Sequence, residues 1–290
     1  MDAMALRMRH HLGKAMSDLR YEPTLFRTRA RIADTTVVDT WSAVLVWEPR
    51  RLVPVYGVPV GDIRGQVVPT DPQPAAPDLT TVPGMLGPMD FSLHTCAGTV
   101  VDLVLDGVTV AQAGYLPADP DLAEIVVLDF NAFDSWWAEE QQTVGHAHDP
   151  FERIEVLPSS RLVEVSLNGT RLASSSRPLL LLETHLPPRW YFPAEHVESE
   201  LLTPSDTTST CAYKGFASYF SLVDGNTAGK DIAWTYRDPR HDALPVRDHL
   251  CFWSERSDLV VDGQPLPRPV TPWSTPEEQA AADPDRLEFG

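Results

Sequence analysis

The sequence has 290 residues, of which 43% are hydrophobic and 22% are charged, a composition typical of a globular protein with one large domain or two smaller ones. It has no apolar run of about 20 residues, so we expect no transmembrane helix. The net charge of −18 repels phosphate backbones and anionic lipids, so we expect no nucleic acid and no membrane as partners.

The first predicted element is an amphipathic helix over residues 4–19. Residues 1–31 carry seven Lys or Arg and only three Asp or Glu, against the acidic trend of the chain. The simpler interpretation is a solvated helix, and the alternative is a partner-binding arm. Residues 1–20 are therefore predicted to form an N-terminal helical arm.

An internal repeat predicts two domains, over residues 21–145 and 161–265. In each half an apolar run ends in Glu, and matching Pro, Cys and Tyr residues follow. The first half carries about twenty extra residues between Thr70 and Asp90, which predict a long loop. Residues 146–160 are interpreted as a linker, and residues 266–290 as an acidic, Pro-rich tail. The matched pairs are Glu48 and Glu183, Pro59 and Pro193, Pro69 and Pro204, Cys96 and Cys211, and Tyr115 and Tyr236.

Three Asp-Gly or Asn-Gly pairs predict β-hairpins, because these residues tolerate the positive φ angles of tight turns. The flanking strands are predicted over residues 100–105 and 108–113, 162–167 and 171–175, and 215–223 and 230–236. Helical turns are expected over residues 131–142, capped by Asn131, and after Thr275, where Glu278 closes a capping box. The predicted fold is mainly β, a β-rich α+β arrangement of two tandem, related antiparallel β domains with few short helices.

Cysteine usage indicates the compartment. Cys96, Cys211 and Cys251 are too few, and odd in number, for a disulfide framework or a four-thiolate zinc site. Charged and histidine residues from Arg7 to His11 interrupt the N-terminal apolar residues, so no signal-peptide core is present. We expect a cytoplasmic protein.

The densest group of reactive residue types lies in residues 207–215. A thiol beside a cation can ionise and act as a nucleophile, so Cys211 beside Lys214 is a candidate. Lys214 can supply the positive charge beside the thiol, bind a carboxylate, or form a Schiff base if burial lowers its pKa. The alternative is that Cys211 is a small buried hydrophobe and Lys214 a surface lysine.

Differences between the halves favour one site, in the second half. Both halves keep Glu and Cys, whereas several polar residues occur only in the second. Glu183 would act as general acid or base, tyrosines would donate hydrogen bonds to developing negative charge, and arginines would orient an anionic group. The predicted catalytic residues are Cys211, Lys214, Glu183 and Tyr213, and the predicted substrate-binding residues are Arg177, Arg189, Trp234 and Tyr236.

The second half resembles the domain of unknown function family 427, which also carries a nucleotidyltransferase-like label. The resemblance rests on Arg-Pro-Leu-Leu-Leu-Leu-Glu-Thr at 177–184, Leu-Pro-Pro-Arg-Trp-Tyr-Phe-Pro at 186–193, Cys-Ala-Tyr-Lys-Gly at 211–215 and Trp-Thr-Tyr-Arg-Asp-Pro at 234–239. It implies a compact β-rich domain, often with a pocket around the Cys-x-Tyr-Lys-Gly segment. Residues 21–142 resemble a diverged second copy. Ala212 stands where family members usually carry Pro.

The chain has neither a phosphate-binding P-loop nor a Gly-x-Gly-x-x-Gly fingerprint, so nucleotidyl transfer is not favoured. His146, His148 and Asp149 have no partners that complete a metal site, and we expect no metal and no other cofactor. The leading hypothesis is a small-molecule enzyme of uncertain reaction that uses a Cys, Lys and Glu pocket in the second repeat. The alternatives are a non-catalytic small-molecule binding module and a structural or interaction protein.

Overall fold

The structure is a computed structural model that describes residues 5, 8–82, 84–184, 186–271, 273–275 and 277–278. The chain divides into two compact units, Met1–Pro150 and Phe151–Gly290. Antiparallel strands dominate the described residues of both units, which confirms the predicted mainly β fold. None of the helices in these residues is long and apolar enough to span a membrane.

The first unit contains helix α1 and strands β1–β11, with short 3₁₀ helices at Val60–Asp62, Pro120–Leu122 and Phe130–Ala132. Its larger sheet has the order β1-β4-β5-β9-β8-β7-β6, and its smaller sheet has the order β11-β10-β2-β3. The elements are α1 (Met8–Ala15), β1 (Arg20–Pro23), β2 (Thr28–Ile32), β3 (Thr35–Thr40), β4 (Val44–Trp47), β5 (Val55–Pro59), β6 (Gln66–Pro69), β7 (Gly98–Leu105), β8 (Val108–Pro117), β9 (Ile125–Leu128), β10 (Ser135–Ala138) and β11 (Gln141–Thr143).

The second unit contains strands β12–β22, with short 3₁₀ helices at Ala194–His196, Ser199–Leu201, Thr227–Gly229 and His241–Val246. Its larger sheet has the order β12-β15-β16-β20-β19-β18-β17, and its smaller sheet has the order β14-β13-β21-β22. The strands are β12 (Ile154–Pro158), β13 (Val163–Leu167), β14 (Thr170–Ser175), β15 (Leu179–Glu183), β16 (Arg189–Phe192), β17 (Leu202–Cys211), β18 (Gly215–Leu222), β19 (Ala233–Tyr236), β20 (Leu250–Phe252), β21 (Asp258–Val261) and β22 (Gln264–Leu266).

The two units have the same topology. Adding eleven to each strand number of the first unit reproduces both sheet orders of the second. The strand register also matches Glu48 with Glu183. Val44 of β4 pairs with Gly57 of β5, and Leu179 of β15 pairs with Tyr191 of β16 at the equivalent place. Each Glu follows its Val44 or Leu179 by the same number of residues. The register corrects the expected match of Tyr115 with Tyr236. Tyr115 lies at the position of Trp234, two residues before Tyr236.

Each larger sheet buries both of its faces. Successive side chains of a strand point to opposite faces, and in the second unit Leu180 packs towards the smaller sheet whereas Leu181 belongs to a separate apolar cluster. That second cluster includes Ala243 and Val246 of the 3₁₀ helix at His241–Val246. The first unit has the same division, with an inter-sheet core and a smaller cluster that contains Tyr115. Polar groups at the ends of these strands can therefore be enclosed.

Two predicted hairpins are confirmed and the third is modified. Strands β7 and β8 flank Asp106-Gly107, and β13 and β14 flank Asn168-Gly169, with positive φ at all four turn residues. Strands β18 and β19 also pair. Their connection, however, spans residues 223–232 and includes the 3₁₀ helix at Thr227–Gly229, so it is not a two-residue turn. The predicted long loop is present, since residues 70–97 join β6 to β7.

The helix predicted over residues 131–142 is wrong. The 3₁₀ helix at Phe130–Ala132 is followed by β10 and β11, and the capping side chain is Asp129 rather than Asn131. Trp136 of β10 is 1% exposed and stacks on Tyr56 at 4.8 Å. Aromatic packing on the pleated sheet outweighs the local helix preference of this segment.

The boundaries of the predicted arm, linker and tail also need correction. Helix α1 is shorter than expected, and part of residues 4–19 lies outside the described residues. Residues 154–158 of the predicted linker form β12, an edge strand of the larger sheet. The predicted tail begins inside β22, whose last residue is Leu266, and within it Thr271 is fully buried.

The capping box at Thr275 and Glu278 is confirmed. The backbone N–H of Thr275 donates to the Glu278 carboxylate at 2.8 Å, and the N–H of Glu278 donates to Thr275 Oγ1 at 3.3 Å. Pro276 and residues 279–290, which include the predicted end of this helix, lie outside the described residues.

We expect the cluster around Leu181 to contribute strongly to stability. Leu181 is 0% exposed, whereas Leu157 on the adjacent strand β12 is 39% exposed. Leu181→Ala should lower the free energy of unfolding by about 2–5 kcal/mol because it removes buried methyl groups and leaves a cavity. Urea unfolding followed by tryptophan fluorescence measures this. An equal loss in the control Leu157→Ala would contradict the assignment.

Candidate functional site

A buried ion pair joins Glu183 and Lys214 in the second unit. Glu183 is the last residue of β15, and Lys214 lies in the turn of residues 212–214 that connects β17 to β18. Both carboxylate oxygens of Glu183 accept hydrogen bonds from Lys214 Nζ. The side chains are only 9% exposed for Lys214 and 7% for Glu183. Lys214 is therefore a buried, paired cation, and the surface-lysine alternative is wrong.

The turn that carries Lys214 depends on Gly215. Cys211 and Gly215 are paired across the turn, and Gly215 has a φ of +95°. A Cβ at this position would also lie 3.3 Å from the side chain of Arg240. Because L-amino acids with a Cβ rarely adopt this conformation, glycine fixes the turn and with it the direction of Lys214.

The Cys211 thiol is next to the ion pair. Its Sγ accepts the backbone N–H of Lys214 at 3.4 Å. Burial by itself would lower the pKa of Lys214, but Glu183 and Cys211 outweigh it, so that the pKa is raised. The amine is thus protonated at neutral pH. The condition for Schiff-base chemistry, a pKa lowered by burial, is not met.

Two tyrosines lie on the same side of the larger sheet. Tyr191 of β16 and Tyr236 of β19 belong to one buried cluster, and Tyr191 Oη accepts a hydrogen bond from Trp234 Nε1 at 3.2 Å. Burial raises the pKa of both tyrosines, and the charge of Glu183 raises it further. Both phenols therefore stay neutral near the ion pair. Tyr213 is also buried, in the turn beside Lys214.

The two predicted substrate-binding arginines are bound elsewhere. Arg189 donates to both oxygens of Glu255, at 2.7 and 2.6 Å, and its guanidinium lies 5.3 to 6.0 Å from the rings of three tryptophans. Arg177 is exposed and pairs with Glu195. The structure places neither arginine in the cluster of Glu183 and Lys214. The three tryptophans around Arg189 are Trp234, Trp253 and Trp273.

The first unit contains a corresponding cluster that the sequence analysis missed. Glu48 directly follows β4 and is 1% exposed. His94 stacks on Tyr115 with ring centroids 3.6 Å apart. The Glu48 carboxylate accepts from Arg51 Nε at 3.1 Å, Thr95 N–H at 2.8 Å and Cys96 Sγ at 3.6 Å, and contacts His94 Nδ1 at 3.1 Å. Both halves therefore enclose a polar cluster around the matched Glu, whereas the prediction placed the site mostly in the second half.

The two units obtain the cation from different parts of the chain. In the first unit it is Arg51, three residues after Glu48, whereas in the second unit Leu186 is the corresponding residue after Glu183. The second unit instead uses Lys214, which follows Cys211. A buried carboxylate without a partner is strongly destabilising. What the units share is the neutralised carboxylate, and this favours a structural role. Glu48 and Arg51 are brought together by a tight turn, in which the Arg51 N–H donates to the Glu48 carbonyl oxygen at 3.0 Å.

The surroundings of the thiol in the first cluster favour its neutral form. Burial, followed by the charge of Glu48, raises the pKa of Cys96 to about 12. Burial would also raise the pKa of Glu48, but His94, Arg51 and the N–H of Thr95 outweigh it, so the pKa is lowered. A charged carboxylate beside a neutral thiol gives no nucleophile at neutral pH.

In each unit the buried carboxylate also contacts a segment beside a distant strand of the same sheet. Three strands separate β15 from β18 in the second unit, and three separate β4 from β7 in the first. At about 4.8 Å per strand, a flat sheet would hold the connected strands about 19 Å apart. The contact of Glu183 with Lys214, like that of Glu48 with Cys96, therefore requires a strongly twisted and curled sheet.

An open groove of about 310 Å³ lies elsewhere in the second unit. Glu255 accepts from Arg189 and from Thr271 Oγ1 at 2.9 Å, so its oxygens are occupied. Asp231 accepts from Thr207 Oγ1 at 2.9 Å. This groove was not predicted from the sequence. The lining residues are Thr207, Tyr219, Asp231, Trp253, Glu255, Arg256 and Trp273.

No cluster of three or more His, Cys, Asp or Glu residues suited to a metal ion occurs within the described part of the chain. His146, one of the histidines considered for metal binding, has its Nδ1 2.7 Å from the carbonyl oxygen of Ala147.

Comparison with known families gives one match. Residues 155–263 match the sequence profile of the domain of unknown function DUF427. This match lies wholly within the second unit. No curated protein matches the chain in sequence. The matched DUF427 segment includes Glu183, Cys211, Lys214 and the groove residues up to Arg256, while Trp273 follows it.

We expect a double-mutant cycle to show that Glu183 and Lys214 act as a pair. Lys214→Met or Glu183→Leu alone should lower the free energy of unfolding by about 3–5 kcal/mol, since each leaves a buried charge unpaired. The double variant should recover most of that loss. Arg177→Met, at the exposed pair with Glu195, is the control and should cost about 1 kcal/mol or less. Additive losses in the double variant would contradict the pairing.

Acid unfolding should depend on Glu255. Burial would raise its pKa, but hydrogen bonds and the charge of Arg189 lower it below the ordinary value of 4.5. The pair therefore stabilises the fold above about pH 4.5 and loses this contribution as the pH falls through the lower, folded value. In Glu255→Gln the stability should be lower at pH 7 and should fall less steeply below pH 4.5. Urea unfolding across pH, with the exposed Glu200→Gln as control, measures the slope. Identical slopes in all three proteins would refute the coupling.

Proposed function

We propose that the chain binds a small molecule in the groove of its DUF427 unit, and that Glu183, Cys211 and Lys214 stabilise the fold. The observation that carries this proposal is the contrast between the two sets of polar groups. Lys214 and Glu183 bind each other and are buried. In the groove, Trp273 is 50% exposed, and Asp231 and Arg256 line the same opening.

The lining of the groove has the character of a ligand site. Such sites are typically concavities of about 300–1,000 Å³ with apolar or aromatic walls and a few fixed polar groups. The groove volume of about 310 Å³ is at the lower end of this range. Arg256 is held by the carbonyl oxygens of Lys230 at 2.9 Å and Asp231 at 2.7 Å, so its position is set before a ligand arrives. Pre-organisation of this kind lowers the cost of binding.

Catalysis by the predicted residues has less support. The raised pKa of Lys214 keeps the amine protonated, which disfavours its use as a nucleophile. The first unit keeps a Glu, a Cys and a cation although its thiol is neutral. A cluster that persists without an ionisable thiol is better explained by stability. The non-catalytic binding module is therefore the preferred hypothesis over the enzyme.

The first unit is proposed to be a diverged copy without the ligand site. Its strand order is the same, which supports a duplication. Asp129 occupies the position of Trp253. Asp129 follows β9 and donates its backbone N–H to the carbonyl oxygen of Ala113. In the same way, Trp253 follows β20 and donates its backbone N–H to the carbonyl oxygen of Ile232. The aromatic wall is thus absent at this point, and ligand binding is assigned to the second unit.

The remaining expectations follow from charge and cysteine content. The net charge of −18 supports a small-molecule ligand rather than nucleic acid or a membrane surface. The free thiols of Cys96, Cys211 and Cys251 suit a reducing compartment. We therefore propose a cytoplasmic location.

Ligand-observed NMR of the full chain with mixtures of neutral, cationic and anionic metabolites tests the proposal. At least one compound should bind, and Trp273→Ala should weaken its binding about tenfold or more, because an exposed aromatic anchor is lost. Trp41→Ala, at a 67% exposed tryptophan of the first unit, is the matched control. Trp41→Ala and the double variant Glu183→Leu, Lys214→Met should bind normally. Binding that the double variant loses and Trp273→Ala keeps would place the site at Lys214 and refute the proposal.

A further inference from the structure

The groove has an aromatic wall in which Trp273 is more exposed than Trp253 and Tyr219. The centroids of Trp253 and Trp273 are 5.5 Å apart, and the ring planes are inclined by 49°. Trp253 also packs on Trp234, with ring centroids 4.7 Å apart, and this contact holds the Trp253 ring in place. Trp273 is half exposed. An apolar ring face open to a groove gains free energy when a ligand covers it.

The polar lining provides one acceptor and one donor of opposite charge. Glu255 is neutralised by Arg189 and occupied by Thr271, which leaves Asp231 and Arg256. Asp231 accepts hydrogen bonds from the hydroxyls of Thr207, Ser221 and Ser205, and a carboxylate has about four acceptor positions. Arg256 uses two of its five N–H groups on backbone carbonyls. Both groups retain hydrogen-bonding capacity for a ligand.

This lining disfavours charged ligands. A cation would compete with Arg256, whose guanidinium already lies 5.9 Å from the Trp253 ring. An anion would meet Asp231 on a chain of net charge −18. Because the acceptor and donor charges offset each other, the groove suits a neutral ligand.

The inclination of the rings disfavours a flat ligand. Two planes at 49° do not form the parallel slot that would clamp a heteroaromatic base between them. A non-planar ring can instead lay its C–H face on one indole and direct its hydroxyl groups to the polar side of the groove. Neutral character, an apolar face and several hydroxyls together describe a sugar.

Resting on the proposed function, we infer that the groove of the second unit binds a neutral carbohydrate. A pyranose ring would cover Trp273, donate hydroxyl hydrogens to Asp231 and accept from Arg256. The site is thus assigned to neutral sugars in preference to nucleosides, amines and organic acids.

Saturation-transfer NMR and fluorescence titration of the full chain test this assignment. The probes are glucose, galactose, mannose, N-acetylglucosamine, maltose and cellobiose, with adenosine, choline and citrate as comparators. At least one sugar should bind with millimolar or tighter affinity. Trp273→Ala and Asp231→Ala should each weaken it about tenfold. The matched control is Asp102→Ala, which removes the first unit's carboxylate that accepts from Thr70 Oγ1 and from the N–H of Gln112.

The outcomes separate the two proposals. If no sugar binds but a comparator binds and is lost in Trp273→Ala, the carbohydrate assignment is wrong and the groove remains a ligand site. If sugar binding survives Trp273→Ala, the location is wrong. If no compound of any class binds in a Trp273-dependent way, both proposals fail. Because Trp273 is half exposed and lies outside the strands, its replacement leaves the folded sheets available for the comparison.

Discussion

A buried carboxylate at the end of one strand constrains each unit of this protein. Glu48 and Glu183 occupy the same register position and must be neutralised, because a buried charge without a partner is strongly destabilising. Lys214 reaches Glu183, and Cys96 reaches Glu48, from beyond three intervening strands, which requires the larger sheet to curl. The cations that neutralise the carboxylates differ: Arg51 lies three residues after Glu48, whereas Lys214 comes from the distant turn. A structural role requires a cation beside the carboxylate but not a particular one, and the two units differ in just this way. A catalytic role would require the same side chain in each unit.

The second buried pair, Arg189 with Glu255, has a different consequence because it supports the groove. The Arg189 guanidinium lies against Trp253 and Trp273, and Glu255 holds Thr271 of the C-terminal segment. The segment after β22 therefore packs on the second unit and places an indole at the edge of the groove. Lys214 and Glu183 are bound to each other, whereas Arg256 and Asp231 are held by neighbouring groups and line an open groove. The proposed ligand site therefore follows from the accessibility of fixed polar groups rather than from residue type.

Local turn chemistry was the most predictable part of the fold. Asn168-Gly169 requires positive φ at both residues and specifies its hairpin without reference to the rest of the chain. The segment of residues 131–142 was not predictable in this way, because its strand depends on the packing of Trp136 against Tyr56. The site shows the same limit. Sequence matching placed Glu48 with Glu183, but the contacts of Glu183 with Lys214 and of Asp231 with Thr207 cross strand pairings and a bulge that spacing alone does not show.

The differences between the two units also separate scaffold from function. The register of the larger sheets matches Asp102 with Ser221 and Gln112 with Asp231. Gln112 and Asp231 both adopt positive φ. In the first unit the strand residue Asp102 accepts the N–H of Gln112, and in the second the hydroxyl of Ser221 accepts the N–H of Asp231. The backbone contact is therefore maintained while the carboxylate moves from the strand residue to the residue with positive φ, Asp231, where it lines the groove. This exchange preserves the backbone hydrogen bond. Because it alters what the groove presents, it supports ligand recognition as the property in which the two units differ.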